Sequence, residues 1–272
     1  ILQLMGPLGI LASTLQIAYL QFVLSPEAFQ EWGWRVPFWV SILLLIIALK
    51  TRLALEETPI FTALHSAKII SKTPLRDNFR DQTTRRHMFL LFFCISAGGS
   101  VLFFCVQVYT AIYLKSALKI DPQLVNTLSI FATAALFPLT IFAGALSDRL
   151  GRKPIVITGL TLGALFILPA FALLGYLASN AGQNSLALGL VLVLLSIPLA
   201  LVIGPQSALL AELFPAKRRS SAATLPHNFA AGWIGGLLPL IVTWLNQTWA
   251  SPLVGLWYPT VFLASAALLA IF

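Results

Sequence analysis

His227 is the only ionisable side chain set well inside a long apolar run of this sequence, directly after Pro226 and before Asn228. Histidine titrates closest to neutral pH of all side chains, so at that depth it is placed to exchange a proton or to hydrogen-bond a polar solute. Gln206, behind Gly204 and Pro205 on one run, and Ser96, Gln107, Tyr109, Thr110 and Tyr113, on another, are the other polar groups with chemistry to offer there. Tyr109 and Tyr113 are four residues apart and therefore share a helix face. For any one of these residues the plainer reading is a hydrogen bond between helices. A second chemistry is written in GALSDRLGRK, Gly144 to Lys153, where Asp148 stands among Arg149, Arg152 and Lys153 between two apolar runs. A carboxylate at the end of a helix is disfavoured by the dipole and needs a partner, Arg149 or Arg152, or another helix's N-terminus.

The elements that position these groups follow from composition. Of 272 residues, 58% are hydrophobic and 10% charged, with a mean hydropathy of +0.90, which defines an all-α polytopic membrane protein. A spanning helix needs about 20 mostly apolar residues. Eight runs qualify, near residues 3–24, 36–53, 88–114, 123–146, 155–177, 185–210, 222–245 and from 256 to the end. Asp121 before Pro122, Thr73 before Pro74, and Ser220 or Ser221 before the seventh run have the residue types of helix N-termini.

Charge sets the orientation. Lys50, Arg52, Lys68, Lys72, Arg76, Arg80, Arg85, Arg86, Arg149, Arg152, Lys153, Lys217, Arg218 and Arg219, fourteen of seventeen cations, fall in alternate gaps. Arg35, Lys115 and Lys119, in the other gaps, are offset by Glu27, Glu31 and Asp121. The basic gaps, residues 54–87, 147–153 and 215–220, are therefore expected on the cytoplasmic face of the cell membrane. The longest of them, 54–87, is polar and partly amphipathic through Ile60, Phe61, Leu64, Leu75 and Phe79, and reads as a linker resting on headgroups. Trp32, Trp34, Trp39, Trp249 and Trp257 sit where interfacial anchors belong. The chain opens and closes inside apolar runs, as expected of a fragment.

The net charge of +8 does not indicate nucleic acid, because the cations lie in gaps between spans. His65, His87 and His227 are scattered, and no Cys, His or acid cluster has ligand spacing, so neither a metal site nor an enzyme is expected. No GxxxxGK[ST] loop is present, and no cofactor is expected. Cys94 and Cys105, eleven residues or about 16 Å apart along one helix, cannot form a disulfide with each other.

GALSDRLGRK resembles the loop motif of the major facilitator superfamily, which recurs between the second and third helices of each six-helix half. Here it lies between the second and third helices after the linker. EWGWRVPF at Glu31 to Phe38, LEETPIF at Leu55 to Phe61, and GPQSALLAELFPAKRRSSA at Gly204 to Ala222 are similar to one branch, the metabolite:proton symporters. The resemblance implies helices five to twelve of twelve: residues 1–53 ending the first bundle, 54–87 the linker, and 88–272 the six-helix second bundle. It also implies alternating access, moving a small polar metabolite with a proton and driven by the proton gradient, in a monomer. Substrates in the family include di- and tricarboxylates, shikimate-like acids, and proline or betaine. An efflux antiporter, or a transporter-like sensor that accumulates nothing, are the alternatives. By this resemblance Asp148, Arg149 and Arg152 form a cytoplasmic latch that Glu212 and Arg219 join, while Glu56 and Glu57 are structural.

Local physics gives each motif glycine a reason: Gly144 lets helices approach and Gly151 takes a positive φ in the hairpin. Gly98, Gly99, Pro138, Pro198, Gly235 and Pro239 mark helices able to bend, and Gly232 with Gly236 makes a GxxxG face suited to close packing.

Overall fold

The structure is a computed structural model that describes residues 2–54, 79–180, 184–214 and 216–271, without the side chains of 2, 180 and 216–221. Thr73, Pro74, Glu56 and Glu57, with the rest of 55–78, lie outside the described residues. Eight helices are long and apolar enough to cross a membrane, in the places expected: α1 Met5–Val23, α2 Gly33–Ala54, α3 Gln82–Ala117, α4 Pro122–Leu150, α5 Arg152–Ser179, α6 Ser185–Glu212, α7 Ala222–Thr248 and α8 Val254–Ile271.

Two boundaries differ from the sequence expectation. α3 starts at Gln82, six residues before Met88, and carries Arg85, Arg86 and His87 as helix. A helix runs unbroken from Ala216 into α7, so Ser220 and Ser221 are interior residues and not caps. The cause is shared: apolar content marks where a helix meets hydrocarbon, but the backbone ladder continues into the polar region wherever no breaker stops it. The Asp121 cap is as expected, its Oδ2 accepting the Leu124 amide at 2.9 Å ahead of Pro122. Asn184 caps α6 in the same way, accepting from Ala187 at 3.2 Å.

The chain divides into two compact units, residues 8–72 and residues 1–7 with 73–272. In the first, Ser25 caps the short helix Pro26–Glu31, and the Glu27 backbone amide and Ser25 hydroxyl hold the Glu27 carboxyl below its ordinary pKa. From Val36 to Ala54, α2 buries no residue and is apolar all round over its spanning length, a surface for which lipid is a suitable solvent.

The second unit holds α3 to α8 around a main apolar core, with a smaller cluster about Leu91, Cys94 and Phe214. Leu102, Leu136, Leu160, Ile167, Phe171, Leu188, Leu199 and Leu238 are fully buried in the main core. α6 packs against α4 and α5, and α5 also against α8. α6 comes close to α4 at Gly204, where a Cβ would stand 3.0 Å from the Gly144 amide nitrogen and the Thr140 carbonyl. Gly144 itself has room, with its nearest contact, the Gly204 carbonyl, at 3.8 Å; the small residue that this helix pair requires is Gly204. α3 departs from α geometry in three π-helical stretches, Leu91–Ala97, Phe104–Tyr109 and Tyr113–Ala117, and α7 in one, Ala230–Gly235. Such bulges re-aim side chains without a proline. Among the described residues nothing packs on Gly232 of the expected Gly232–Gly236 face, where a Cβ meets nothing within 4 Å, whereas on Gly235 it would fall 2.7 Å from Ser100 of α3.

Candidate functional site

The polar residues at membrane depth separate into two sets. Gln206 and His227 come together on a cavity of about 190 Å³, walled also by Ser100, Phe103 and Phe104 of α3 and by Gln3, Gly6 and Pro7 at the start of the chain. The first π stretch of α3 turns Ser96 toward α7, where its hydroxyl lies 3.3 Å from His227 Nδ1. Gln206, only 3% exposed, donates from Nε2 to the Ile95 carbonyl at 3.4 Å, which leaves its other amide donor and its carbonyl oxygen available to a ligand. Gly99 makes room for it: a Cβ there would press on Val202 at 3.3 Å and Gln206 at 3.4 Å. Among the described residues lining this cavity none is Asp, Glu, Lys or Arg. It can therefore offer amide, hydroxyl and imidazole hydrogen bonds and two aromatic rings, with His227 its sole titratable side chain.

Gln107, Tyr109 and Tyr113 do not line this cavity and are each hydrogen-bonded to a neighbouring helix. Gln107 accepts from Thr133 of α4 at 2.9 Å. Tyr113 donates to the Phe171 carbonyl of α5 at 3.2 Å, and Tyr109 accepts from Asn246 of α7 at 2.8 Å. Tyr109 and Tyr113 do share a face, packed on the Phe171 ring at 5.7 and 5.1 Å between centroids. Asn228, one residue from His227, is exposed and does not line the cavity, because successive helix positions diverge by about 100°.

Three participants were not anticipated. Ser100 follows Ser96 by one helical turn and comes directly after Gly98 and Gly99, a legible signal. Gln3 sits at the edge of the first apolar run, where polar residues are ordinary. Asn246 reads as a loop residue, yet it ties three segments, bonding Tyr109, the Pro252 carbonyl at 2.9 Å and the Gly255 amide at 2.6 Å.

The charged hairpin lies at the basic end of the same unit. Gly151 turns the chain between α4 and α5 with φ of 96°, a left-handed conformation that disfavours any Cβ. Arg152 then bonds three acceptors: Asp148 one turn back, the Ser147 hydroxyl at 3.1 Å, and Glu212 at the end of α6 at 3.3 Å. Asp148 thus takes Arg152, and Arg149 points to solvent, exposed. The Arg219 side chain lies outside the described residues. All three charges of the cluster are partly or largely exposed, so salt screens it. Among the described residues no His, Cys, Asp and Glu group has the makings of a metal site.

A bundle of apolar helices with a charged hairpin at one end defines an all-helical multi-pass membrane protein. The Major Facilitator Superfamily profile matches residues 88–272, and the chain belongs to that family. It is 32% identical over 260 residues to the Inner membrane metabolite transport protein YhjE of Escherichia coli K12, covering 94% of this chain and 57% of that one. It is 28% identical over 258 residues to the "Putative proline/betaine transporter" of Staphylococcus aureus MSSA476, covering 93% and 52%. To the "Putative metabolite transport protein" of Haemophilus influenzae Rd it is 30% identical over 269 residues, covering 94% and 58%. The chain spans about half the length of the curated relatives it matches. No solved structure matches it. The protein is a multi-pass membrane protein whose relatives are named for transport and not for catalysis.

Proposed function

We propose that the protein is a secondary active transporter that carries a small polar metabolite across the cell membrane by alternating access, coupled to a proton and acting as a monomer. The observation that carries this reading is the meeting of His227 and Gln206 at one cavity inside the helical bundle. Polar groups that face a cavity at membrane depth are expensive to keep without a ligand to serve. His227 is the proton-exchanging or substrate-orienting group, Ser96 positions its ring, and Gln206 reads the substrate's polar edge.

Of the substrate classes the resemblance offers, organic acids and proline- or betaine-like solutes, the lining favours the second. A di- or tricarboxylate needs fixed cations, and none lines the cavity among the described residues. A compact zwitterion needs hydrogen bonds for its carboxylate and suits aromatic faces at its ammonium, which Gln206, His227, Phe103 and Phe104 supply. Relatives such as the Staphylococcus aureus protein are named for proline and betaine, in accord with this reading. Residues 1–53 then close a first bundle, 54–87 link, and 88–272 form the second bundle. The basic gaps face the cytoplasm, and the Asp148–Arg152–Glu212 cluster latches that side in the outward-facing state.

The test is uptake by the intact protein in proteoliposomes, from a labelled panel of proline, betaine, a dicarboxylate and a tricarboxylate, with and without an imposed proton gradient. Gradient-driven uptake of a zwitterion is expected, and gradient-independent or outward-only movement refutes symport in favour of an antiporter. Failure to accumulate any solute, with binding retained, favours a sensor. His227→Ala is expected to lower affinity or flatten the pH dependence of uptake; wild-type values for both remove His227 from the mechanism.

A further inference from the structure

A second cavity, of about 240 Å³, opens at the basic end of the six-helix unit between α3, α5, α6 and α8, and shares no lining residue with the polar one. Helix ends surround it. His87 lies in the second turn of α3, Lys153 is the second residue of α5 and Leu213 follows the last residue of α6, while α8 contributes Leu269 and Ala270. Its walls run inward along α3 to Cys94, seven residues or about 10 Å below His87, and are otherwise aliphatic. Among the described residues, apart from the Cys94 thiol, its titratable lining residues are the bases His87 and Lys153, and none is a carboxylate. Glu212, beside it in sequence, is already engaged by Arg152. Lys153 donates one hydrogen bond, to the Ile271 carbonyl at 2.8 Å, and an ammonium has two more to give.

An occupant of this cavity must carry an apolar tail some 10 Å into the hydrocarbon and an anion at headgroup level, next to the positive N-terminal end of α5. We propose that it seats an anionic phospholipid of the cytoplasmic leaflet, with one acyl chain among Leu91, Cys94, Val156 and Leu209 and its phosphate on Lys153 beside His87. Basic pockets between spanning helices on the cytoplasmic side are a general mode of anionic headgroup recognition. The site is independent of what the protein carries. It joins the lipid leaflet to Lys153, the residue next to Arg152, so the lipid bears on the same turn as the charged hairpin.

Cys94, 3% exposed and lining the cavity, reports on it, and Cys105, fully buried eleven residues or about 16 Å further along α3, is the internal control. The intact protein, stripped of lipid in detergent, is alkylated with a small maleimide in the presence of phosphatidylglycerol, phosphatidylcholine with the same acyl chains, or inorganic phosphate. Phosphatidylglycerol is expected to slow Cys94 labelling about fivefold relative to phosphatidylcholine, and Lys153→Gln to abolish that difference. Should Lys153→Gln fail to fold, native mass spectrometry of Leu209→Trp, which fills the cavity without touching its charge, is expected to show fewer bound phosphatidylglycerol molecules than wild type. Equal protection by the two lipids, protection by phosphate alone, protection that survives Lys153→Gln, or undiminished lipid in Leu209→Trp each overturns the proposal.

Discussion

Arg152 Nη2 stands 3.3 Å from Glu212 Oε1, so one side chain at the start of α5 connects the end of α6, sixty residues later, to Asp148 on α4. Three helix ends are held by a contact that costs little to break. Exposed pairs of this kind couple weakly, because water and salt screen them. A double-mutant cycle with Arg152→Ala and Glu212→Ala, read by thermal unfolding, is expected to give a small coupling that fades as ionic strength rises toward about 1 M. Under the latch reading the same variants alter uptake rate by more than they alter stability. A staple with no part in the cycle would change the two together.

Gly204 and Gly144 face each other across α4 and α6, yet they are not equivalent. Gly204→Ala places a methyl 3.0 Å from backbone atoms of Gly144 and Thr140, which cannot rotate away. The helices must part, and a loss of about 1–3 kcal/mol is expected. Gly144→Ala puts its methyl 3.8 Å from the nearest atom and should stay within about 0.5 kcal/mol of wild type. Parallel melting curves of the two variants decide the matter; similar losses would mean that the helix pair does not pack as described.

Asn246 satisfies groups on three segments at once. Asn246→Ala strands the Gly255 amide and the Tyr109 hydroxyl in a site where a Cβ on Gly255 would already meet the Val242 backbone. Each unpartnered group costs about 1–3 kcal/mol. Tyr109→Phe removes one bond only and leaves the Asn246 amide its Pro252 partner, so about 1 kcal/mol is expected. Equal melting temperatures for the two variants would reduce Asn246 to a surface residue.

Eight spans were legible because hydrocarbon makes one demand, about 20 apolar residues, that nothing local overrides. The partition of polar residues was not. Gln107 and Gln206 look alike in sequence, but Thr133 on α4 takes up one and Gly99 on α3 opens space for the other, and both neighbours are remote in the chain. Asp148 posed its need for a cation legibly; the choice of Arg152 over the adjacent Arg149 depends on Gly151 reversing the chain so that α5 begins beside α4. The π stretches of α3 carry no punctuation at all, and it is one of them that aims Ser96 at His227.

Ala250 occupies a position made for glycine. Its φ is 47°, and the Ser251 amide bonds the Asn246 carbonyl at 3.1 Å while the Ala250 amide reaches Gln247 at 3.4 Å, the paired bonds of a left-handed helix C-terminus. An alanine in that conformation costs about 1–2 kcal/mol over glycine, part of which glycine's freer unfolded chain takes back. Ala250→Gly should therefore raise stability by about 0.5–1 kcal/mol. The gain should persist in the Asn246→Ala background, because the motif uses the Asn246 carbonyl and not its side chain. Seven tryptophans, including Trp249 next door, make intrinsic fluorescence a convenient readout of melting. A lowered melting temperature would mean that the turn after α7 does not hold Ala250 at positive φ.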